Sequence, residues 1–183
     1  MRIIAGRFKG LRLPSPRNKG VRPTTDRVRE AMFSAVGSSV VGTRILDLFA
    51  GTGAFGFEAL SRGAALAVFV ERDRQVAQFL SSTARLFGAE DQVLVLTMPA
   101  SKAIPHLTNR GISFGIVFLD PPYGTECLES VMLNSVFQDL VEPDGLLIIE
   151  RSVRDSATEV PEIFEKWSAK RYGDTVVDIF NKT

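Results

Sequence analysis

The stretch Asp120-Pro121-Pro122-Tyr123 contains residue types suited to binding and orienting a flat group that carries an amine. Two successive prolines fix the backbone φ angles and remove two amide donors, which leaves the carbonyl oxygens of Asp120 and Pro121 as rigid acceptors. The Asp120 carboxylate and the Pro121 carbonyl could each accept one N–H of an NH2 group. Tyr123 could stack on the attached ring, a contact worth about 1–3 kcal/mol for a nucleobase. The alternative is an Asp-Pro turn whose tyrosine packs on the core.

A glycine-rich turn after an apolar run forms a second candidate site. The run 45–49 is typical of a buried strand, and Gly51, Thr52 and Gly53 follow it before a helical pattern begins. Glycines adopt φ angles that other residues resist, and they let the backbone approach a ligand closely. A strand, a tight turn and a helix N-terminus together favour a polar, nucleotide-like ligand.

Glu71 is the acid that a nucleotide-binding interpretation requires. It ends the apolar run 64–70 and lies 20 residues beyond Gly51, the separation at which doubly wound folds place an acid on ribose hydroxyls. The alternative is that Glu71 only caps the helix that starts near Asp73. The glycine turn upstream favours ribose binding.

The order of the predicted elements favours an α/β fold with a doubly wound sheet of seven strands, the last one antiparallel. Strands are predicted at 45–49, 64–70, 93–96, 116–119, 145–150, 167–172 and 175–180. Helices are predicted at 53–62, 74–87, 100–107 and 126–140, with a further helical stretch near 161–165. Ligands bind outside the carboxyl ends of the strands in such sheets, so the glycine turn, Glu71 and Asp120 should meet at one edge.

Most of the positive charge lies in the first 30 residues. Nine Lys or Arg stand against two acids there, a balance of +7, whereas residues 31–183 hold 13 basic and 19 acidic residues, a balance of −6. This asymmetry indicates a basic arm that meets a polyanion, and a solvated tail is the alternative. We predict that residues 1–37 form this arm as a hairpin and a helix, and that 38–183 form the ligand-binding domain. Arg27 or Arg29 could equally pair with carboxylates of that domain.

The composition excludes several classes of protein. No apolar run reaches the roughly 20 residues that a membrane helix needs, and the N-terminus lacks the apolar core of a secretion signal. A single cysteine, Cys127, cannot form an internal disulfide, which suits a reducing cytoplasm. One cysteine and one histidine do not make a zinc site of the usual kind. We therefore expect a cytoplasmic protein without a metal, and a monomer.

The motifs ILDLFAGTG, VER and DPPY together resemble the S-adenosylmethionine-dependent methyltransferases that act on amino groups. Further segments indicate one family among these methyltransferases, namely RIIAG, RPTTDRVREAMF, FEALSRGA and RYGDT. They make the chain similar to the bacterial small-subunit (16S) ribosomal RNA guanine-N2 methyltransferases, the family named for guanine 966. The resemblance covers nearly the whole chain. It departs at Ser34, Thr52 and Phe180, where the family usually has Asn, Ser and Tyr.

The resemblance implies a Rossmann-like methyltransferase sheet, S-adenosylmethionine as the cofactor, and ribosomal RNA as the partner, either naked or in an assembled or partly assembled small subunit. It implies a catalytic set of Asp120, Pro121, Pro122 and Tyr123. The implied cofactor-binding residues are Asp47, Phe49, Gly51, Thr52, Gly53, Glu71, Arg72 and Ala100. The implied RNA-binding residues are Arg7, Lys9, Arg12, Arg22, Thr24, Arg27 and Arg29. Residues 97–100 lack the acid that many methyltransferases place near adenine, so backbone near Ala100 and apolar packing would hold the adenine.

Three alternatives compete with guanine methylation. Methylation of adenine N6 or of a protein glutamine uses a similar four-residue motif. A nicotinamide oxidoreductase would use the G-x-G-x-x-G pattern of Gly51, Gly53 and Gly56, but it has no role for Asp47 or for the two prolines. A non-catalytic RNA-binding protein of the same fold would not need Asp120 and Tyr123.

Overall fold

A seven-stranded sheet forms the centre of the protein, with the strand order β3-β2-β1-β4-β5-β7-β6. The computed structural model describes residues 1–14, 25–122, 125–155 and 159–183. The strands are β1 (Arg44–Asp47), β2 (Leu66–Glu71), β3 (Val93–Thr97), β4 (Phe114–Leu119), β5 (Val141–Ser152), β6 (Phe164–Tyr172) and β7 (Thr175–Lys182). The first five are mutually parallel, and β7 is antiparallel to both β5 and β6. The predicted doubly wound sheet with an antiparallel last strand is confirmed.

Helices cover both faces of this sheet. They are α1 (Asp26–Val36), α2 (Ala54–Ser61), α3 (Arg74–Leu86), α4 (Ala100–Thr108) and α5 (Thr125–Met132), with short 3-10 turns at Gly37–Val40, Glu90–Gln92 and Phe137–Leu140. On one face, α1, α2 and α3 contribute to a first hydrophobic cluster with Ile45, Phe118 and Ile148. On the other face, α4 and α5 contribute to a second hydrophobic cluster with Leu46 and Leu119. Because strand side chains alternate between faces, central strands buried on both sides appear in the sequence as unbroken apolar runs.

Two predicted helices differ from the structure. The helical stretch predicted near 161–165 is wrong, because Phe164 starts β6 by pairing with Lys182 and joins the second hydrophobic cluster. The helix predicted over 126–140 ends at Met132, and a 3-10 turn precedes β5. The first error arises because pairing with a distant strand decides the local conformation at Phe164. In the described part of the chain, no helix has the length and apolar character needed to cross a membrane.

The N-terminal arm is packed against α2. Its short hairpin contains an antiparallel bridge between Arg2 and Arg12, flanked by backbone hydrogen bonds such as that from Ile3 N to the Leu11 oxygen at 3.0 Å. The backbone N–H groups of Ile4 and Ala5 donate to the Glu58 carboxylate at 2.8 and 3.1 Å, and the N–H of Phe8 donates to Ser61 Oγ at 2.9 Å. Apolar side chains of the arm and of α1 belong to the same first hydrophobic cluster as α2. The arm therefore shares the core of the sheet, and a domain boundary at residue 37 stays a prediction.

Candidate active site

A cavity of about 1040 Å³ opens at the carboxyl ends of β1, β2, β4 and β5. Strand order reverses between β1 and β4, the position at which open α/β sheets bind ligands. Most of the predicted cofactor and catalytic residues line this cavity, namely Asp47, Phe49, Gly51, Thr52, Glu71, Arg72, Ala100, Asp120, Pro121 and Pro122. Tyr123 lies outside the described residues. Two sites that are 69 positions apart in the sequence, at Gly51 and Asp120, therefore share one pocket.

Gly53 shapes the glycine turn without lining the cavity. It caps the N-terminus of α2 in the left-handed conformation, with φ of 72°. A Cβ atom at Gly53 would lie 2.6 Å from Leu80 Cδ2 and 2.8 Å from the Phe57 ring. A side chain at this position would thus be strained by its φ angle and blocked by the core. Gly51 also has a positive φ, of 50°, within the same turn.

Glu71 connects the glycine turn to the end of β2. Its Oε2 accepts a hydrogen bond from Gly51 N at 3.1 Å, and its Oε1 accepts one from Asp73 N at 2.8 Å. Asp73 itself caps α3, because its side chain accepts from Gln75 N and Val76 N. Asp73, and not Glu71, is therefore the residue whose side chain caps the N-terminus of α3. Each Glu71 oxygen has a second lone pair that could accept a ribose hydroxyl.

Asp47 is a buried carboxyl group on the cavity wall, with a fractional exposure of 2%. The pKa of Asp47 is raised from 3.8 to about 7, mainly by burial. The N–H groups of Gly56 and Phe49 lower this pKa, whereas the negative charge of Glu71 raises it. Its Oδ1 has no hydrogen-bond partner among the described residues. A buried acceptor without a partner is costly, so this atom suits a ligand that brings a cationic N–H group. The α-amino group of S-adenosylmethionine fits that requirement.

We expect the stability of the ligand-free protein to fall as the pH rises from about 4 to about 7. Over this window the native Asp47 keeps a proton that the unfolded chain has lost, so the native state is stabilised at the acidic end. Asp47→Asn should remove this dependence and increase the free energy of unfolding at pH 8 by a few kcal/mol. Urea unfolding at several pH values measures the effect. Asp91→Asn, at an exposed aspartate, should retain the wild-type slope, and an unchanged slope in Asp47→Asn would contradict the assignment.

The part of the cavity beyond Asp120 is bounded by β5 and α1. Asp120 directly follows β4 and Glu150 lies in β5, and both side chains line the cavity. Phe55 and Phe118 also line it, with their rings stacked at 4.1 Å between centroids. Met32 of α1 lies on the same wall. The cavity therefore includes a partly aromatic region lined by Met32, Phe55, Phe118, Asp120 and Glu150, which we call the acceptor space.

Sequence reasoning missed Glu150 as a site residue. The sequence does contain a pattern that could have indicated Glu150, because an acidic residue directly follows an apolar run in both places. Glu150 follows the run 145–149, just as Asp120 follows the run 116–119. Whether two such strands are neighbours depends on the strand order, which the local pattern does not reveal.

The predicted RNA-binding residues occupy different positions. Arg7, Lys9, Arg12 and Arg27 are exposed, and Arg7 donates to Gln92 while its guanidinium lies over the Phe8 ring. Arg22 and Thr24 lie outside the described residues. Exposed cations at the arm remain available to phosphate groups.

Arg29 requires a correction, because its side chain is fully buried and has no surface for a phosphate. Its Nη2 donates to the Arg2 carbonyl oxygen at 2.6 Å and to Asp26 Oδ1 at 3.0 Å. Its Nε lies 3.5 Å from Glu58 Oε2, in an ion pair without hydrogen-bond geometry. The alternative of pairing with carboxylates, which includes Glu58 of the core, describes Arg29 correctly.

Comparisons with known proteins agree with this geometry. The family model described as Conserved hypothetical protein 95 matches residues 1–181. Ribosomal RNA small subunit methyltransferase D of Escherichia coli (strain K12) is 37% identical over 171 residues, covering 93% of this chain and 83% of the relative. The protein of the same name from Haemophilus influenzae is 34% identical over 163 residues, covering 88% and 83%. The solved structure of the Escherichia coli protein yhhF has a TM-score of 0.87 and 33% identity, and covers 100% of this chain and 97% of that chain.

These matches confirm the resemblance drawn from the motifs. The chain belongs to the Conserved hypothetical protein 95 family, a family of S-adenosylmethionine-dependent ribosomal RNA methyltransferases that includes ribosomal RNA small subunit methyltransferase D.

Proposed function

We propose that this protein methylates the exocyclic N2 amine of a guanine in the 16S RNA of the small ribosomal subunit, using S-adenosylmethionine. The observation that carries the proposal is the single cavity that contains both the unpartnered Asp47 oxygen and the Asp120-Pro121-Pro122 end of β4. The relatives named for small-subunit RNA methylation support the choice of substrate.

The cofactor would be held at the ends of β1 and β2. Asp47 would accept from its amino group, and Glu71 would accept from the ribose hydroxyls next to the glycine turn. Met98, Pro99 and Ala100 line the cavity after β3 and would pack on the adenine. When bound, this cofactor supplies an electrophilic methyl group, whose carbon accepts the nitrogen lone pair while the S–C bonding electrons return to sulfur.

Asp120 and Pro121 would prepare the acceptor nitrogen. A guanine N2 amine is a weak nucleophile because its lone pair is delocalised into the ring. Hydrogen bonds from its two N–H groups to the Asp120 carboxylate and the Pro121 carbonyl favour a pyramidal nitrogen with the lone pair directed at the methyl group. The methylated nitrogen is cationic and releases one proton to water without a strong base. Positioning of this kind can supply up to about 7–11 kcal/mol in favourable cases.

The base must leave its stack to reach the cavity, as enzymes that modify nucleobase atoms generally require. Exposed cations of the N-terminal arm, Arg7, Lys9 and Arg12, and Arg27 of α1 would bind the flanking phosphates. Since phosphate contacts release counterions, RNA binding should weaken as the salt concentration rises.

The decisive experiment uses small subunits and naked 16S RNA from cells that lack this protein. Each is incubated with the purified protein and S-adenosylmethionine carrying a labelled methyl group, and the nucleosides are analysed by mass spectrometry. We expect label in N2-methylguanosine, and the faster of the two substrates identifies the natural one. Label in N6-methyladenosine or in a protein glutamine would show that adenine or glutamine, and not guanine, is the methyl acceptor. If the protein bound RNA but no product carried label, we would conclude that it is a non-catalytic RNA-binding protein.

A further inference from the structure

We infer that Glu150 binds the N1–H group of the target base and thereby selects guanine over bases whose N1 is an acceptor. This inference rests on the proposed function and assigns a specificity-determining residue within the same cavity. It starts from the strand register. Leu119 of β4 pairs with Ile149 of β5 in a parallel ladder, so the next residues, Asp120 and Glu150, leave adjacent strands side by side. Neighbouring strands are about 4.8 Å apart, close enough for side chains from both strands to reach one edge of the same base.

The Glu150 side chain projects toward the face of the sheet that α1 covers. Glu150 pairs across the ladder with Val177, which belongs to the first hydrophobic cluster, and Ile148 two positions earlier belongs to it as well. Ile149 between them belongs to the second hydrophobic cluster. Glu150 has a fractional exposure of 8% and still lines the cavity. Its carboxyl group is thus nearly sheltered from bulk solvent at the wall of the acceptor space.

The neighbouring arginine has a separate, structural role. Arg151 projects to the other face, where its Nε donates to Asp178 Oδ2 at 2.7 Å and its Nη1 donates to the Asp155 carbonyl oxygen at 3.0 Å. Alternation along β5 therefore separates this ion pair from the Glu150 carboxyl group.

Base chemistry explains why a second carboxylate beside Asp120 would select guanine. The Watson–Crick edge of guanine presents N1–H next to the N2 amine, which makes two adjacent donors. Asp120 would bind the amine and Glu150 would bind N1–H. Adenine presents an acceptor lone pair at N1 beside its amine, and this lone pair would face the Glu150 oxygen without a proton between them. Sites built to hydrogen-bond a substrate group discriminate strongly against analogues that lack it, because the buried partner is left unpaired.

2-Aminopurine isolates this contact, since it keeps the 2-amino group but has an acceptor at N1. We would reconstitute small subunits from RNA with guanine or 2-aminopurine at the methylated position and measure kcat/KM for each. Wild-type protein should prefer guanine by at least about 100-fold. Glu150→Gln should lower that ratio at least about 10-fold, because an amide can also donate to N1. The Kd for S-adenosylmethionine should change less than about twofold, since Glu150 lies outside the predicted cofactor residues.

Two further variants make the result decisive. Glu142→Gln changes a half-buried glutamate near the start of the same strand that pairs with Arg44, and it should retain the wild-type ratio. Glu150→Asp keeps the carboxylate and should retain discrimination with slower guanine methylation, which covers the case in which Glu150→Gln does not fold. An unchanged ratio in Glu150→Gln, or loss of discrimination in Glu150→Asp, would overturn the inference while leaving guanine methylation intact. Absence of methylation on guanine by the wild-type protein would instead reject the proposed function.

Discussion

Asp120→Ala is expected to reduce the rate of methyl transfer by about 1000-fold or more while leaving the Kd for S-adenosylmethionine within a few-fold of wild type. The reason is the division of the cavity. Asp47 and Glu71, which we propose to bind the cofactor, end β1 and β2, whereas Asp120 follows β4 and borders the acceptor space. Removing its carboxylate deprives the target amine of an acceptor at the moment when its lone pair must leave the ring. Single-turnover rates and calorimetry measure the two quantities separately.

Asp120→Asn provides the graded variant for the same test. Asparagine keeps one oxygen acceptor of similar shape but loses the charge, so its rate should lie between those of wild type and Asp120→Ala. Asp91→Ala, at an exposed position between α3 and β3, should have wild-type activity. Equal losses of activity and cofactor affinity in Asp120→Ala would show that Asp120 supports the pocket as a whole, and would refute its role toward the amine.

The strands that build the site could be predicted from local sequence because their signals are local. The runs before Gly51 and Asp120 are apolar on both faces of the sheet, and glycine or proline ends each run. The rule that ligands bind at carboxyl strand ends predicts that the glycine turn, Glu71 and Asp120 meet at one edge, and Gly51, Glu71 and Asp120 do line the cavity. Gly53 is the exception, since its position depends on the packing of Phe57 and Leu80 beneath the turn.

The features that escaped prediction depend on partners far away in the sequence. Arg29 is among the RNA-binding residues that the resemblance implies, a role that needs an exposed side chain, although it could equally pair with a carboxylate of the core. It is buried because Glu58, 29 positions later in α2, supplies a buried counter-charge. The start of β6 at Phe164 depends likewise on pairing with Lys182, at the end of β7. Periodicity within a window of ten to fifteen residues contains no information about such partners.

Glu58→Gln is expected to lower the free energy of unfolding by about 3–5 kcal/mol, because it breaks a buried ion pair and leaves the buried Arg29 without a buried counter-charge. Glu58 has no exposed surface. Its carboxylate accepts hydrogen bonds from the arm and from Arg62, and it forms an ion pair with Arg29 of α1. Its Oε1 accepts from Arg62 Nε at 2.8 Å, and Arg29 lies 3.5 Å from its Oε2. The N–H groups of Ile4 and Ala5 also donate to it. Glutamine preserves the shape but removes the buried counter-charge of Arg29, which keeps only the half-exposed Asp26 as an ionic partner.

Urea unfolding measures the loss, and Arg62→Gln is the matched control. Arg62 forms the same kind of pair with Glu58 but is 20% exposed, so water compensates part of its loss and the cost should be near 1 kcal/mol. Replacing Arg29 by Met together with Glu58 by Leu should recover part of the stability, since a buried pair can be exchanged for apolar residues. Recovery should be incomplete because the amides of Ile4 and Ala5 would lose their acceptor. A cost below about 1 kcal/mol for Glu58→Gln would refute the network as a stabilising feature.

The same substitution should affect RNA methylation more than cofactor binding. Glu58 holds the start of the arm and, through Arg29, the helix α1 whose Met32 lines the acceptor space. Its loss should therefore increase the proteolytic sensitivity of the first 14 residues and raise KM for RNA, while Asp47 and Glu71 keep their positions at the strand ends. If Glu58→Gln changed the KM for RNA and the Kd for S-adenosylmethionine equally, the cofactor site would depend on Glu58 as much as the arm does. That result would contradict a specific role of Glu58 in holding the arm.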